Sequence, residues 1–180
     1  MRGDGARTAR ASRLARMTFA TGHPQTARDL TLVVVRGVLA WIFIYYGAGK
    51  LFGSFHGPGL HRTAIFFSTV AHLHPGGFFA VVGGVLELGS GLVMIVGLGT
   101  RLAGLALVGD MVVAMITVTW SHGINSQSLN PGYELNLALG ALALVTVVMG
   151  SGRLSLDAFI ARRLAAPSRQ FDVATDDSTQ

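Results

Sequence analysis

Four stretches of the chain, near residues 30–52, 78–98, 102–120 and 133–149, are apolar over roughly the 20 residues that a helix needs to cross a hydrocarbon core. Hydrocarbon offers the backbone no water, so such stretches must satisfy their N–H and C=O groups within themselves, as helices. The prediction is an all-α fold, an integral membrane four-helix bundle. Between the second and third stretches only Gly99-Thr100-Arg101 is available, which forces a tight turn, antiparallel neighbours and an up-down topology. Composition excludes the soluble alternative: charged residues make up 13% of the chain, against about 25% in a water-soluble domain. With no cysteine, the chain has no disulfide framework, thiolate nucleophile, persulfide carrier or cysteine-held iron–sulfur cluster.

The connections carry the remaining local signals. Gly57-Pro58-Gly59 and His74-Pro75-Gly76-Gly77 bracket residues 60–71, expected as a short interfacial helix on the outer side. Asn130-Pro131-Gly132 closes the third connection with a turn signature. Six arginines lie in the first 28 residues and four follow residue 152; with Arg101 they put eleven basic residues on one side of the membrane, against Arg62 on the other. This asymmetry predicts a multi-pass protein of a bacterial inner (plasma) membrane with both termini cytoplasmic. It also places the net charge of +5 in tails, which leaves no folded basic surface for nucleic acid. The chain thus divides into a disordered basic arm (1–29), a four-span domain (30–152), and a cytoplasmic amphipathic helix with a disordered tail (153–180). The arm lacks an apolar core of its own and is not a cleavable signal peptide; Met17 is an alternative start.

Ionisable side chains inside a bilayer cost several kcal/mol, and they normally face a partner, a cavity or the bundle interior. Arg36, Glu87 and Asp110 lie within spans, with Lys50 and Glu134 near the outer ends. Arg36, Gly47 and Lys50 share one stripe of the first span; Gly83, Glu87 and Gly91 share one on the second; Ala106, Asp110, Ala114 and Thr117 share one on the third. Small-and-polar stripes pack against other helices. Counted from the ends of the apolar stretches at 1.5 Å per residue, Arg36 lies about 9 Å and Asp110 about 12 Å in from the cytoplasmic end, which makes them the expected ion pair. Glu87, about 16 Å in, has no cation at its level by this count, so it is expected as a neutral acid hydrogen-bonded to Tyr46 or to a ligand. The alternative is that all these charges only set helix register. Five of the six histidines fall in the two outer loops, but their spacings match no usual ligand set, and no metal site is expected.

Several strings then occur in a familiar order: Arg36 followed by Tyr46-Gly47-x2-Lys50-Leu51-Phe52-Gly53, then Gly83-Gly84-x2-Glu87-Leu88-Gly89, Thr100-Arg101-Leu102-Ala103, Gly132-Tyr133-Glu134-Leu135-Asn136-Leu137 and Gly152-Arg153-Leu154-Ser155-Leu156-Asp157. Across residues 30–157 the chain resembles the DoxX family of small four-span bacterial membrane proteins, which often has His where Tyr46 stands. The resemblance implies a membrane subunit linked to redox metabolism. Relatives are associated with thiosulfate:quinone oxidoreduction and with complexes that handle oxidative and thiol stress. A quinone-like or lipid ligand within the bundle is implied, with Arg36, Tyr46, Lys50, Glu87, Asp110, Glu134 and Asn136 as candidate ligand-binding or buried polar residues. At most the chain is then a membrane subunit of a quinone-linked oxidoreductase complex, docking soluble oxidoreductases at its cytoplasmic face. A non-catalytic scaffold and an oligomeric small-solute or proton transporter are the alternatives.

Overall fold

A computed structural model describes residues 25–125 and 131–164; the expected arm through residue 24 and tail from residue 165 lie outside the described residues. All regular structure among the described residues is helical. Helix α1 spans Gln25–Phe52, α2 Gly59–Thr69, α3 Gly76–Val96, α4 Thr100–Ala114, α5 Glu134–Met149 and α6 Leu156–Leu164. A π-helical turn, Met115–Thr119, and a 3-10 turn, Trp120–His122, extend α4 without a break. Helices Gln25–Phe52, Gly76–Val96 and Thr100–His122 are long and apolar enough to cross a membrane, and Glu134–Met149 is a shorter apolar helix of the same kind. At 1.5 Å per residue, α5 covers about 24 Å.

The turns follow from their residues. Gly97 ends α3 at φ 72°, a left-handed conformation that side chains with a Cβ resist, and its N–H donates to Val93 O. Gly99 (φ 57°) then opens α4, so three residues reverse the chain. The helices form an up-down bundle in which α1 packs chiefly against α3 and α4 against α5, while α3 touches α4 and α1 touches α5; α2 lies against α3. The core is Leu39, Ala40 and Phe43 of α1, Met94 of α3, Leu107 and Met111 of α4, and Leu139 and Ala143 of α5. The outer surface is also apolar: Trp41 is 76% exposed and Leu102 75%. Water would penalise that surface, and acyl chains would cover it without cost.

Glycine sets the α1–α3 register. A Cβ on Gly47 would fall 2.5 Å from Leu88 N and 2.9 Å from Gly84 O, and one on Gly91 would fall 3.0 Å from Ala40 O. The two backbones therefore touch, with Gly47 beside Leu88. Because α1 begins at Gln25, five residues before its apolar stretch, its first turns overhang the α3–α4 turn, and depths counted from the apolar boundaries are displaced.

That displacement overturns the expected pairing of Arg36 with Asp110. Arg36 lies at the closed end of the bundle beside the α3 C-terminus. Its Nε donates to Met94 O (3.0 Å), Nη2 to Ile95 O (3.3 Å), and Nη1 to Ser151 O (2.6 Å) and Leu154 O (3.2 Å). It caps α3 and ties down the segment after α5. The same end is stitched further: Arg153 N–H donates to Asp29, Asp157 N–H to Gly97 O, and Gly99 N–H to Asp157 Oδ1. These bonds fix the start of α6, whose Phe159 and Leu164 stay exposed beside Arg162 and Arg163.

Candidate functional site

The polar centre of the bundle is built on α1, α3 and α4. Lys50 lies one turn beyond Gly47 on the stripe of α1 that meets α3. With Gly47 pressed on Leu88, its four-carbon stem brings Nζ to 2.6 Å from Glu87 Oε1. The expectation that Glu87 lacks a cation is therefore wrong. The pair spans two helices, the carboxylate side chain 4% exposed and the ammonium side chain 24%. Asp110 of α4 lies beside Glu87, close enough for the two carboxyls to interact directly, and the Lys50 charge acts on both. Two carboxyls thus face one ammonium. Among the described residues, the enclosed Glu87 Oε2 has no hydrogen-bond partner.

Lys50 and Asp110 of this cluster border a cavity of about 500 Å³, within the size range of small-molecule sites, and Glu87 lies behind them, outside its lining. Lys50, Asp110 and Asn136 reach it, and Phe66 and Phe67 of α2 with Phe79 of α3 form an aromatic side. Lys50 Nζ lies 5.8 Å from the Phe67 ring centre. Several lining residues, among them Val82, Leu105 and Val113, are also exposed on the outer apolar surface. The cavity accordingly opens sideways between α3 and α4, toward lipid.

The remaining candidates fall in different places. Asn136 Nδ2 donates to Thr119 Oγ1 (3.1 Å) at the cavity wall. Tyr46 does not reach Glu87: it is 46% exposed and stands edge-on to Tyr45. One residue before Gly47 is about 100° around the helix, which turns Tyr46 off the α3 face. Glu134 is exposed in the first turn of α5, where a carboxylate suits the helix dipole, and it is not a buried polar group. Sequence reasoning missed the aromatic side and the π turn. Thr117, Val118 and Thr119 all line the cavity; three consecutive residues of an α-helix spread over about 200°, and the wider π turn narrows that spread. The phenylalanines of Phe66-Phe67 did carry a signal, as an aromatic pair on a helix placed at the membrane rim.

With this geometry in place, the comparison with known families is decisive. The DoxX family model matches residues 31–120, half of the chain. The chain belongs to the DoxX family. The DoxX match runs from residue 31 within α1 through the π turn, and takes in Lys50, Glu87, Asp110 and the aromatic side of the cavity. Asn136 and the carbonyls of Ser151 and Leu154 that hold Arg36 lie beyond the matched DoxX segment. No curated protein and no solved structure matches the chain.

Proposed function

We propose that this DoxX-family protein is a membrane subunit of redox metabolism that takes the polar head of a lipid-soluble, quinone-like ligand from the bilayer into the lateral cavity. The observation that carries this reading is a charged cluster, Lys50–Glu87–Asp110, of which Lys50 and Asp110 line an aromatic-sided cavity open to lipid. A flat ring fits between Phe66, Phe67 and Phe79, and a tail leaves through the gap between α3 and α4. Such a ligand would supply two-electron redox chemistry; the chain's own residues orient the head and exclude water from it. The basic asymmetry supports an inner-membrane orientation with both termini cytoplasmic, and the arginines at that end suit the docking of soluble oxidoreductases. Protein purified into nanodiscs should retain a ligand detectable by mass spectrometry of the extracted lipid, with reduced occupancy in Glu87→Gln. Empty protein in both forms would overturn the reading.

One observation favours the non-catalytic scaffold instead. Lys50 is paired with Glu87 and Arg36 is held by four backbone carbonyls, so these charges also serve packing. A scaffold keeps its partners when Lys50→Met is combined with Glu87→Leu, whereas a ligand-binding subunit loses its ligand.

A further inference from the structure

A second pocket lies at the end of the bundle that the basic asymmetry assigns to the cytoplasm. It encloses about 390 Å³ between the start of α4, the end of α5 and the start of α6, and shares no residue with the lateral cavity. Arg101, Leu102, Met149, Gly150 and Asp157 border it. Two strings of the sequence that the lateral cavity leaves unused, Thr100-Arg101-Leu102 and Leu154-Ser155-Leu156-Asp157, meet here. Asp157 Oδ1 accepts the Gly99 N–H at 2.9 Å, and Asp157 N–H donates to Gly97 O at 3.1 Å. Arg101, by contrast, makes no hydrogen bond or ion pair among the described residues. Its guanidinium runs along Gly150 (φ 74°), where a Cβ would stand 3.1 Å from Nε. The absent side chain of Gly150 leaves the guanidinium its place at the pocket wall. Leu102 and Met149 belong to the exposed apolar surface that acyl chains cover, so the lipid side of the pocket is apolar.

A free guanidinium in a pocket at the bilayer rim, with an apolar shoulder toward lipid, has the layout of a phospholipid. The planar fork of arginine suits a phosphate, and the shoulder suits the first carbons of an acyl chain. Asp157 separates one head from another. It is half-buried, and Oδ1 alone is bonded, so the carboxylate brings a second, free acceptor to the same pocket. We propose that this pocket binds one phospholipid of the inner leaflet by its head, with the phosphodiester on Arg101 and an ethanolamine ammonium on Asp157. One guanidinium and one carboxylate match the two charges of that head. A choline head carries the same charges, but its methylated nitrogen has no N–H to donate; a glycerol head has no cation. Arg36, which also attracts Asp157, is buried, bonded to four carbonyls and outside the lining. Arg153, Arg162 and Arg163 lie outside the lining too, so they draw anionic lipid to this end at large without setting the choice within the pocket. A lipid so held bridges α4, α5 and the start of α6.

The test uses the full chain in detergent, with native mass spectrometry of the adducts formed by phosphatidylethanolamine, phosphatidylcholine and phosphatidylglycerol of identical acyl chains. The first ethanolamine lipid is expected to bind about tenfold more tightly than the choline lipid, the effect of one charge-assisted hydrogen bond, and more tightly than the glycerol lipid. Asp157→Asn keeps a carbonyl oxygen for the Gly99 N–H but puts a donor where the free oxygen stood, and should erase the preference. Arg101→Met should weaken all three lipids alike. Phe67→Ala, in the lateral cavity, should leave the preference unchanged, and its loss there would place the lipid in that cavity and overturn the assignment. Equal binding of the ethanolamine and choline lipids, or tighter binding of the glycerol lipid, would overturn it as well. Glycerophosphoethanolamine, the same head without acyl chains, should fail to displace the lipid at matched concentration; displacement would make this a site for a soluble phosphodiester and refute a lipid site. Because the three lipids are compared on the unaltered protein, a poorly folded variant does not remove the test.

Discussion

Removing Lys50 and removing Glu87 are predicted to have unequal costs, although the two residues form a single ion pair. In Lys50→Met, Glu87 and Asp110 lose their shared cation, and the Glu87 side chain, 4% exposed, cannot turn to water. Breaking a buried pair from one side costs about 3–5 kcal/mol, and the partial exposure of Lys50 sets the expectation near the lower end, about 3 kcal/mol. In Glu87→Gln, the ammonium keeps Asp110 and can move its flexible stem toward the aqueous rim. That loss is confined to one charge-assisted hydrogen bond, about 1–2 kcal/mol. Lys50→Met combined with Glu87→Gln removes both charges, and its cost should fall below the sum of the single losses by at least about 1 kcal/mol. Reversible unfolding in bilayer discs, followed by tryptophan fluorescence or by steric trapping, measures all three variants. The reasoning is refuted if Glu87→Gln costs as much as Lys50→Met, or if the single effects add to within about 0.5 kcal/mol.

Other substitutions separate contact from composition. Gly47→Ala drives a Cβ into the backbone of α3 at Leu88 and Gly84 and should cost about 2–3 kcal/mol in thermal unfolding. Gly37→Ala, with nothing within 4 Å, should stabilise by about 0.5–1 kcal/mol. Arg36→Lys keeps the charge but cannot reach carbonyls on both chain segments at once; a loss of about 2 kcal/mol and faster proteolysis between residues 151 and 155 are expected. Reporter fusions at Gln127 and Gln180 should report opposite sides of the membrane, and a shared side would refute the four-span topology.

The residues differ in how far their roles could be read in advance. The helices follow from apolar length and the α1–α3 contact from its glycine stripes, both local properties of the chain. Glu87 and Asp110 were also within reach: one lies ten residues before Gly97 and the other ten after Thr100, so a tight hairpin brings them level. Depth from apolar boundaries obscured this, because α1 is longer than its apolar stretch and glycine contact, not hydropathy, sets its height. The same error separated Lys50 from Glu87 and paired Arg36 with the wrong helix. The true partners of Arg36 are backbone carbonyls of Met94, Ile95, Ser151 and Leu154, and a backbone carbonyl is present at every position, so no residue pattern marks these four. The π turn is equally silent, since Met115–Thr119 reads as ordinary apolar helix.

The Lys50–Glu87 bridge also bears on how the chain enters the membrane. A ribosome delivers α1 first, with Lys50 close to its trailing end, where the ammonium can wait in the headgroup region while the rest of the helix settles. The next span arrives with a carboxyl near its middle, and a lone charged side chain there costs about 2.5–3.5 kcal/mol even on the gentlest insertion scales. Synthesis order therefore supplies the cation before the anion that needs it. The glycine groove of α1 is then available to α3 as it leaves the translocon, and the favourable route is entry of α3 directly against α1 instead of through open lipid. In Lys50→Met the carboxyl of α3 arrives with no cation waiting on α1, and that span should integrate less efficiently.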